Sequence, residues 1–460
     1  MQTATLTVVP RPTTGYAEAL WSRRQMSVST RRAIFAAVDG IVIVVGTLSL
    51  RVGGSFDRRI AIRAGIAALI VSLVWRLAAS IFDVYAASTI ADATAQRRAF
   101  LKAAVATASV LLALSLAVDL FGGPVRAFLS VGALAVMQAG AHVVAAALVT
   151  GRFRQRVLVL GDEPAVRAAA ALLAMEGRGC YEVAYVAGRP IESLIDIIAR
   201  VNATTVVAAR HRIGNALDIA ACVERGVVFR SAASVFEELT GRVPVTYLGS
   251  HEDTACALPD RSSRCDLAYR TAKRAADIVL ASAGMVVLVI MLPIVALAIS
   301  IDSPGPIFYS QERLGRGGRP FRAWKFRSMI ADAEQGRPQW AAANDVRVTR
   351  VGRLLRAAHL DEFPQFLNIL KGEMSAVGPR PERPEFAEVL SRELPFYNMR
   401  HGTKPGMAGW GLVNQGYSSS SEDAALKLEY DLYYLKYQSC WLDLVILMKT
   451  AIDTLMLRGR

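Results

Sequence analysis

Three features of the sequence predict a membrane protein of mixed α and α/β class. Apolar residues gather into blocks near the length of a bilayer span, short apolar runs alternate with helical segments in the middle of the chain, and the charge balance is basic. Of 460 residues, 53% are hydrophobic, and 53 Lys and Arg stand against 39 Asp and Glu, a net charge of +14. The expected order is four N-terminal transmembrane helices, a Rossmann-like α/β module, then a re-entrant membrane helix leading into a mainly helical cytosolic domain. Such a charge calls for anionic partners, and the apolar blocks favour membrane lipid headgroups or phosphorylated substrates over nucleic acid.

Residues 1–32 are polar and carry Arg11, Arg23, Arg24, Arg31 and Arg32. They lack the short apolar core and small-residue cleavage site of a secretory signal, so they read as a cytoplasmic tail. Residues 33–150 hold four apolar blocks, Ala33–Leu50, Ala64–Phe82, Ala103–Phe121 and Ala127–Thr150, each approaching the ~20 residues of a spanning helix. Arg97, Arg98 and Lys102 place the 83–102 loop on the cytoplasmic side, as Arg152, Arg154 and Arg156 do for the segment after block four. Arg51, Arg58, Arg59 and Arg63 disagree with this assignment, which leaves a hairpin or interfacial arrangement open, and a buried soluble bundle is the alternative.

From 155 to 250 the pattern is that of a small doubly wound α/β domain. Strands are expected at 156–161, Tyr181–Val186, Thr204–Ala208 and Val227–Arg230, with a helix from Pro164 to Gly177. The first turn reads Gly161-Asp162-Glu163-Pro164, without the glycine fingerprint of a dinucleotide cradle, so an interaction or regulatory module is favoured over a cofactor site. The five cysteines are scattered without a CxxC pair and read as reduced and structural.

Residues 251–272 read as a linker, and 273–300 as the re-entrant membrane helix. Pro293 lies well inside this block and should kink or break it. Basic residues flank both ends: Arg270, Lys273 and Arg274 before, and Arg313, Arg316, Arg319, Arg322 and Lys325 after. A helix that enters, bends at Pro293 and leaves on the same face satisfies both observations, with a straight span as the alternative.

Residues 301–460 form the expected cytosolic domain. Val346–Ala358 can form a helix with Arg347, Arg350, Arg353 and Arg356 on one broad side. Within "HLDEFPQF", Asp361 and Glu362 are adjacent, about 100° apart on a helix, and cannot flank a sugar from opposite sides. They can share a small anionic ligand, one as nucleophile and the other as metal ligand. Mg²⁺ suits such a pair, being oxygen-seeking and usually held by one or two carboxylates plus phosphate oxygens. Pro364 favours a helix start, where the dipole would stabilise both ionised acids.

The ordered set "SPGP…QERLG…KFRSM…LLRAAHLDEFPQFLNILKGEMSAVGPRPERPEF…KPG…YDLYY…WLDL", over roughly 266–457, resembles the bacterial polyprenyl-phosphate glycosyl-1-phosphate transferases. "RPERPEF" and "SSEDAALKLEYDLYYLKYQS" look most like the exopolysaccharide-initiating branch, and residues 1–250 are similar in architecture to the large form of the family. The resemblance implies that Asp361 attacks the β-phosphate of a UDP-sugar, that Glu362 binds Mg²⁺, and that undecaprenyl phosphate then takes the sugar phosphate. It also implies Lys325, Arg356 and Arg380 as phosphate ligands, Pro293 as the membrane-helix break, and supporting places for Arg327, Asp431 and Asp443. A multi-pass inner-membrane protein with its catalytic domain on the cytoplasmic face, as a homodimer, is the corresponding expectation. The family's "TGWAQVN" reads "AGWGLVN" here, with Ala408 and Leu412 removing two polar side chains from that loop. An inactive membrane scaffold is the competing class, and the transferred sugar is left open.

Overall fold

The computed structural model describes residues 28–49, 58–86, 89, 93–118, 124–149, 155–161, 164–175, 181–187, 194–208, 216–245, 263–330, 333, 345–415 and 421–456. They divide into two compact units, with the boundary between Thr240 and Gly241. Most of the expected tail, 1–27, and of the expected linker, 251–262, lies outside the described residues, as do 246–250 at the end of the α/β module.

The first unit opens with helices α1 (Val28–Ser49), α2 (Arg58–Ile81), α3 (Ala93–Val118) and α4 (Pro124–Val149). Each starts ahead of its apolar block. Arg58, Arg59 and Arg63, and likewise Arg97, Arg98 and Lys102, therefore stand on helices where loops were expected. Arg and Lys are good helix formers, so helical turns extend past the point where apolar sequence begins. By length and composition, two described stretches can cross a membrane, Thr94–Ser115 and Leu267–Asp302; the apolar parts of α1, α2 and α4 are shorter. Trp75, Ala79, Phe100, Ala103 and Leu111 form the buried centre of these helices.

The α/β module follows as β1 (Gln155–Leu160), α5 (Pro164–Met175), β2 (Tyr181–Ala187), α6 (Leu194–Val201), β3 (Thr205–Ala208), α7 (Ala216–Glu224), β4 (Val228–Ser231) and α8 (Ala232–Thr240). All neighbouring strands are parallel, in the order β2-β1-β3-β4. Alternation along β1 explains the two layers. Val157 and Val159 face Val166, Leu173 and Val235 of α5 and α8, while Leu158 and Leu160 face Ile197 and Cys222 of α6 and α7. The strands lie within a residue of their expected positions.

The second unit is built on α9 (Ser263–Asp302), 40 residues long. It begins ten residues before the expected membrane block, so 263–272 are helix and not linker. It also continues through Pro293; the proline removes one rung and favours a bend, but the helix does not end there. Along one face, Asp277, Ala281 and Leu288 are buried, at the four- and seven-residue spacing of a helical stripe. Two of its expected basic flanks are turned inward. Lys273 Nζ donates to Asp443 (2.8 Å) and to the Tyr434 hydroxyl (3.0 Å). Arg274 donates to the carbonyls of Ile369 (2.7 Å) and Leu370 (2.8 Å). These cations serve the domain's own packing, so they no longer support the flanking-charge case for a re-entrant course.

After α9 come an antiparallel hairpin, β5 (Phe308–Leu314) and β6 (Pro320–Phe326), and α10 (Arg350–Ala357), capped by Thr349. Then follow α11 (Phe366–Lys371), β7 (Ser375–Val377), α12 (Pro384–Glu393), β8 (Gly406–Ala408), α13 (Trp410–Gln415), α14 (Ser421–Tyr437) and α15 (Cys440–Leu455). Leu288, Val295 and Ile299 of α9 pack with Phe326 and Leu355, so the hairpin and α10 sit against the long helix. Gly352 makes this seat possible: a Cβ there would stand 2.0 Å from the Ser328 carbonyl oxygen.

Candidate active site

Asp361 and Glu362 lie on a 3₁₀ turn, Leu360–Gln365, that contains Pro364 and leads into α11. The expected α-helical start is thus a tighter turn, entered through His359 in the left-handed conformation (φ 53°). Four groups hold this turn. Asn368, fully buried, donates to the Arg322 carbonyl (2.7 Å) and accepts from the Trp324 amide (3.2 Å), tying α11 to β6. Arg274 grips the end of α11 from α9. Phe366 packs onto Gly284, where a Cβ would stand 2.3 Å from the Phe366 ring. His359 Nδ1 lies 3.4 Å from Thr454 Oγ1 of α15, a packing role in keeping with its lack of assigned chemistry.

The two acids are both buried, at 7% and 4% exposure, yet differ in their partners. Lys325, on β6, donates to Glu362 Oε1 at 2.7 Å. Arg380 grips the same carboxylate with both terminal nitrogens, Nη1 at 3.1 Å from Oε2 and Nη2 on Oε1. Burial pushes Glu362 up, but Arg380 and Lys325 outweigh it and hold the carboxyl well below its usual range. Asp361 accepts no hydrogen bond from the described residues. Burial raises it, the Lys325 charge opposes and the Glu362 charge reinforces, leaving it pushed up to about 6. Arg356, on α10, also acts on Asp361 through its charge. Burial likewise lowers the Lys325 ammonium. The result is one clamped carboxylate and one unbonded carboxylate under a canopy of Lys325, Arg356 and Arg380.

Arg380 is itself braced. Its carbonyl accepts from Arg400 Nη2 at 3.0 Å. Arg400 donates in turn to Asp431 Oδ2 from Nη2 (2.7 Å) and Nε (3.2 Å), and to the Tyr397 hydroxyl (2.9 Å). Asp431 therefore reaches the site at second hand. Arg313 supports the same loop by donating to the Pro381 carbonyl at 3.2 Å. Asp443 sits elsewhere, closed by Lys273, Tyr269 and Tyr434. Arg327 stands at the end of α9, donating to the Ser303 carbonyl at 2.6 Å; it caps that helix and does not touch the acids.

Among the described residues no cluster of three His, Cys, Asp or Glu side chains stands ready for a metal. The oxygen donors at the site are the two adjacent carboxylates. Such a sparse, all-oxygen set fits Mg²⁺, which keeps several waters and takes substrate phosphate oxygens, and does not fit a protein-caged zinc.

The family model for the bacterial sugar transferases matches residues 268–457. An exopolysaccharide production protein, PSS, of Rhizobium leguminosarum bv. phaseoli is 37% identical over 189 residues, covering 40% of this chain and 94% of its own length. The chain belongs to the bacterial sugar transferase family. Two further relatives are similar over part of the chain. One is the UDP-N-acetylgalactosamine-undecaprenyl-phosphate N-acetylgalactosaminephosphotransferase of Aeromonas hydrophila, 40% identical over 232 residues, with 50% of this chain and 53% of the relative covered. The other is the UDP-glucose:undecaprenyl-phosphate glucose-1-phosphate transferase of Escherichia coli (strain K12), 41% identical over 184 residues, with 40% of each covered. The matches thus span about half or less of these two relatives, and the family model covers the acid pair together with Lys325, Arg356 and Arg380.

Proposed function

We propose that this sugar transferase moves a hexose 1-phosphate from a UDP-sugar to undecaprenyl phosphate, releasing UMP, as the first membrane step of exopolysaccharide assembly. The observation that supports the reading is the asymmetry of the acid pair: Asp361 is buried without a hydrogen-bond donor among the described residues, beside a Glu362 clamped by Lys325 and Arg380. An ionised, unbonded Asp361 is free to attack phosphorus. Its carboxylate oxygen forms a bond to the β-phosphorus of the UDP-sugar as the bond from that phosphorus to the UMP oxygen breaks. This leaves a sugar-phosphoryl aspartate and free UMP. A phosphate oxygen of undecaprenyl phosphate then attacks the same phosphorus, restoring Asp361 and giving the lipid-linked diphosphate sugar.

Lys325, Arg356 and Arg380 contribute positive charge where the diphosphate and the leaving phosphate carry negative charge. Lys325 and Arg380 exchange part of their hold on Glu362 for the substrate. Glu362 would hold Mg²⁺, whose chemistry when bound is to neutralise phosphate oxygens. We place the protein in the inner membrane with this domain on the cytoplasmic face, α9 entering the bilayer as a re-entrant helix bent near Pro293 and the N-terminal helices spanning it. A homodimer accompanies this reading.

Membranes containing the protein, incubated with undecaprenyl phosphate and a panel of radiolabelled UDP-sugars, should yield a labelled lipid and UMP from at least one sugar. Release of UDP would make it an ordinary glycosyltransferase. No labelled lipid, with Asp361→Ala indistinguishable from the parent, would make it a scaffold.

A further inference from the structure

The N-terminal unit holds a polar network that the proposed reaction does not use. Asp39 of α1 accepts a hydrogen bond from the Tyr85 hydroxyl, which accepts from Trp75 Nε1 at 3.0 Å. The other Asp39 oxygen lies 3.6 Å from His142 Nδ1 of α4. His142 is only 5% exposed and neither ring nitrogen has a hydrogen-bond partner among the described residues. Its ring is held between Phe35 and Phe100, with centroids 4.9 and 4.4 Å away. Ionisable groups buried among apolar helices are costly and mark functional positions more often than structural ones.

His142 lies at one wall of a cavity of about 480 Å³ between α3 and α4. Ala104, Ala108, Ala135 and Ala139 supply small residues to its lining, and Leu101 and Val136 are exposed at its sides. Its one charged lining residue is Arg97, three positions before the Phe100 ring that packs on His142. Arg98 and Lys102 are exposed beside it. A lining that is apolar except for a cation and an imidazole matches an amphiphile: a hydrocarbon chain along the alanines, and an anionic head on Arg97.

We infer that the groove between α3 and α4 is a binding site for a lipid with a phosphate head, the phosphate on Arg97 and the chain against Ala104 and Ala139. The head chemistry is shared by phosphatidic acid and by a polyprenyl phosphate. The site is distinct from Asp361 and Glu362 and does not depend on the reaction proposed for them.

The full-length protein in nanodiscs can be exposed to phosphatidic acid, polyprenyl phosphate and neutral diacylglycerol, each with a photoactivatable chain, and the labelled peptides mapped by mass spectrometry. Labelling by one or both phosphate probes should concentrate on 97–108 and 135–143. Which of them labels identifies the source of the head. Arg97→Gln, an exposed change that leaves packing intact, should lower phosphate-probe labelling about fivefold and leave the diacylglycerol signal unchanged. Ala139→Phe, which fills the groove, should remove labelling by all three. Equal labelling by the neutral and phosphate probes in the parent, no response to Arg97→Gln, or labels spread evenly over the apolar helices would each overturn the proposal.

Discussion

Two sets of buried acids in the C-terminal unit make opposite use of the same chemistry. Asp431 and Asp443 are closed: Arg400 holds the first, and Lys273, Tyr269 and Tyr434 hold the second. Asp361 is equally buried but receives no such donor among the described residues, and its neighbour Glu362 takes two of the nearby cations. Closed acids hold elements together, since removing one partner strands a buried charge. In the proposed reaction the open acid keeps its lone pairs for an external electrophile. Burial alone therefore does not separate these carboxylates; the number of donors they accept does.

The largest effect should come from the open acid. Asp361→Asn keeps the shape and removes the nucleophile, so product formation should fall by about 10³-fold or more in the labelled-lipid assay, with folding unchanged. Glu362→Gln loosens the hold on Lys325 and Arg380 and should cost about 10²-fold, with the Mg²⁺ concentration for half-maximal rate moving upward. Asp431→Asn should fall between the classes, because Arg400 would lose its anchor while bonding to the Arg380 carbonyl. A roughly tenfold drop in kcat/KM, together with a lower thermal midpoint, is expected. Asp443→Asn should destabilise by about 3 kcal/mol through the stranded Lys273, yet the protein that remains folded should turn over at the parent rate.

The smallest effect concerns Lys427 on α14. Burial pushes its ammonium down from 10.5 to about 8, against the pull of Glu382. Between those values the unfolded chain binds more protons than the folded one, so this lysine's contribution to stability rises with pH from about 8 to 10.5. Below pH 8 the penalty is constant. Lys427→Met should raise resistance to denaturation at pH 7 and flatten that rise, as read by denaturant titration at pH 7 and 10.

The strands of the α/β module were legible because buried parallel strands such as β1 and β3 leave short apolar runs between helical segments. The acid pair and Lys325, Arg356 and Arg380 were legible through motif order. Asn368 and Arg400 were not: each acts on backbone carbonyls or amides far away in sequence, and neither residue type in isolation signals such a contact. Lys273 and Arg274 misled for the same reason. Cations beside an apolar block suggest lipid headgroups, whereas here they close on Asp443 and on α11. The 3₁₀ turn was missed because a proline one position after Phe363 fits an α-helical first turn equally well by sequence.

One face of α9 holds α11 and β7, the elements that follow the acid-bearing turn, at three points. Arg274 holds the end of α11, Asp277 accepts from Ser375 Oγ (3.0 Å) and the Ala376 amide (2.8 Å), and Gly284 receives the Phe366 ring. These points are three and seven residues apart, so they share one side of the helix. With α9 in the bilayer as proposed, they give the reaction an altitude. The same helix that reaches into the lipid also sets how high Asp361 rides above it. A single residue inserted between Asp277 and Gly284 would turn the two ends about 100° apart and shift them by about 1.5 Å. An intact nucleophile would then sit out of register with a phosphate whose own height is fixed by the membrane.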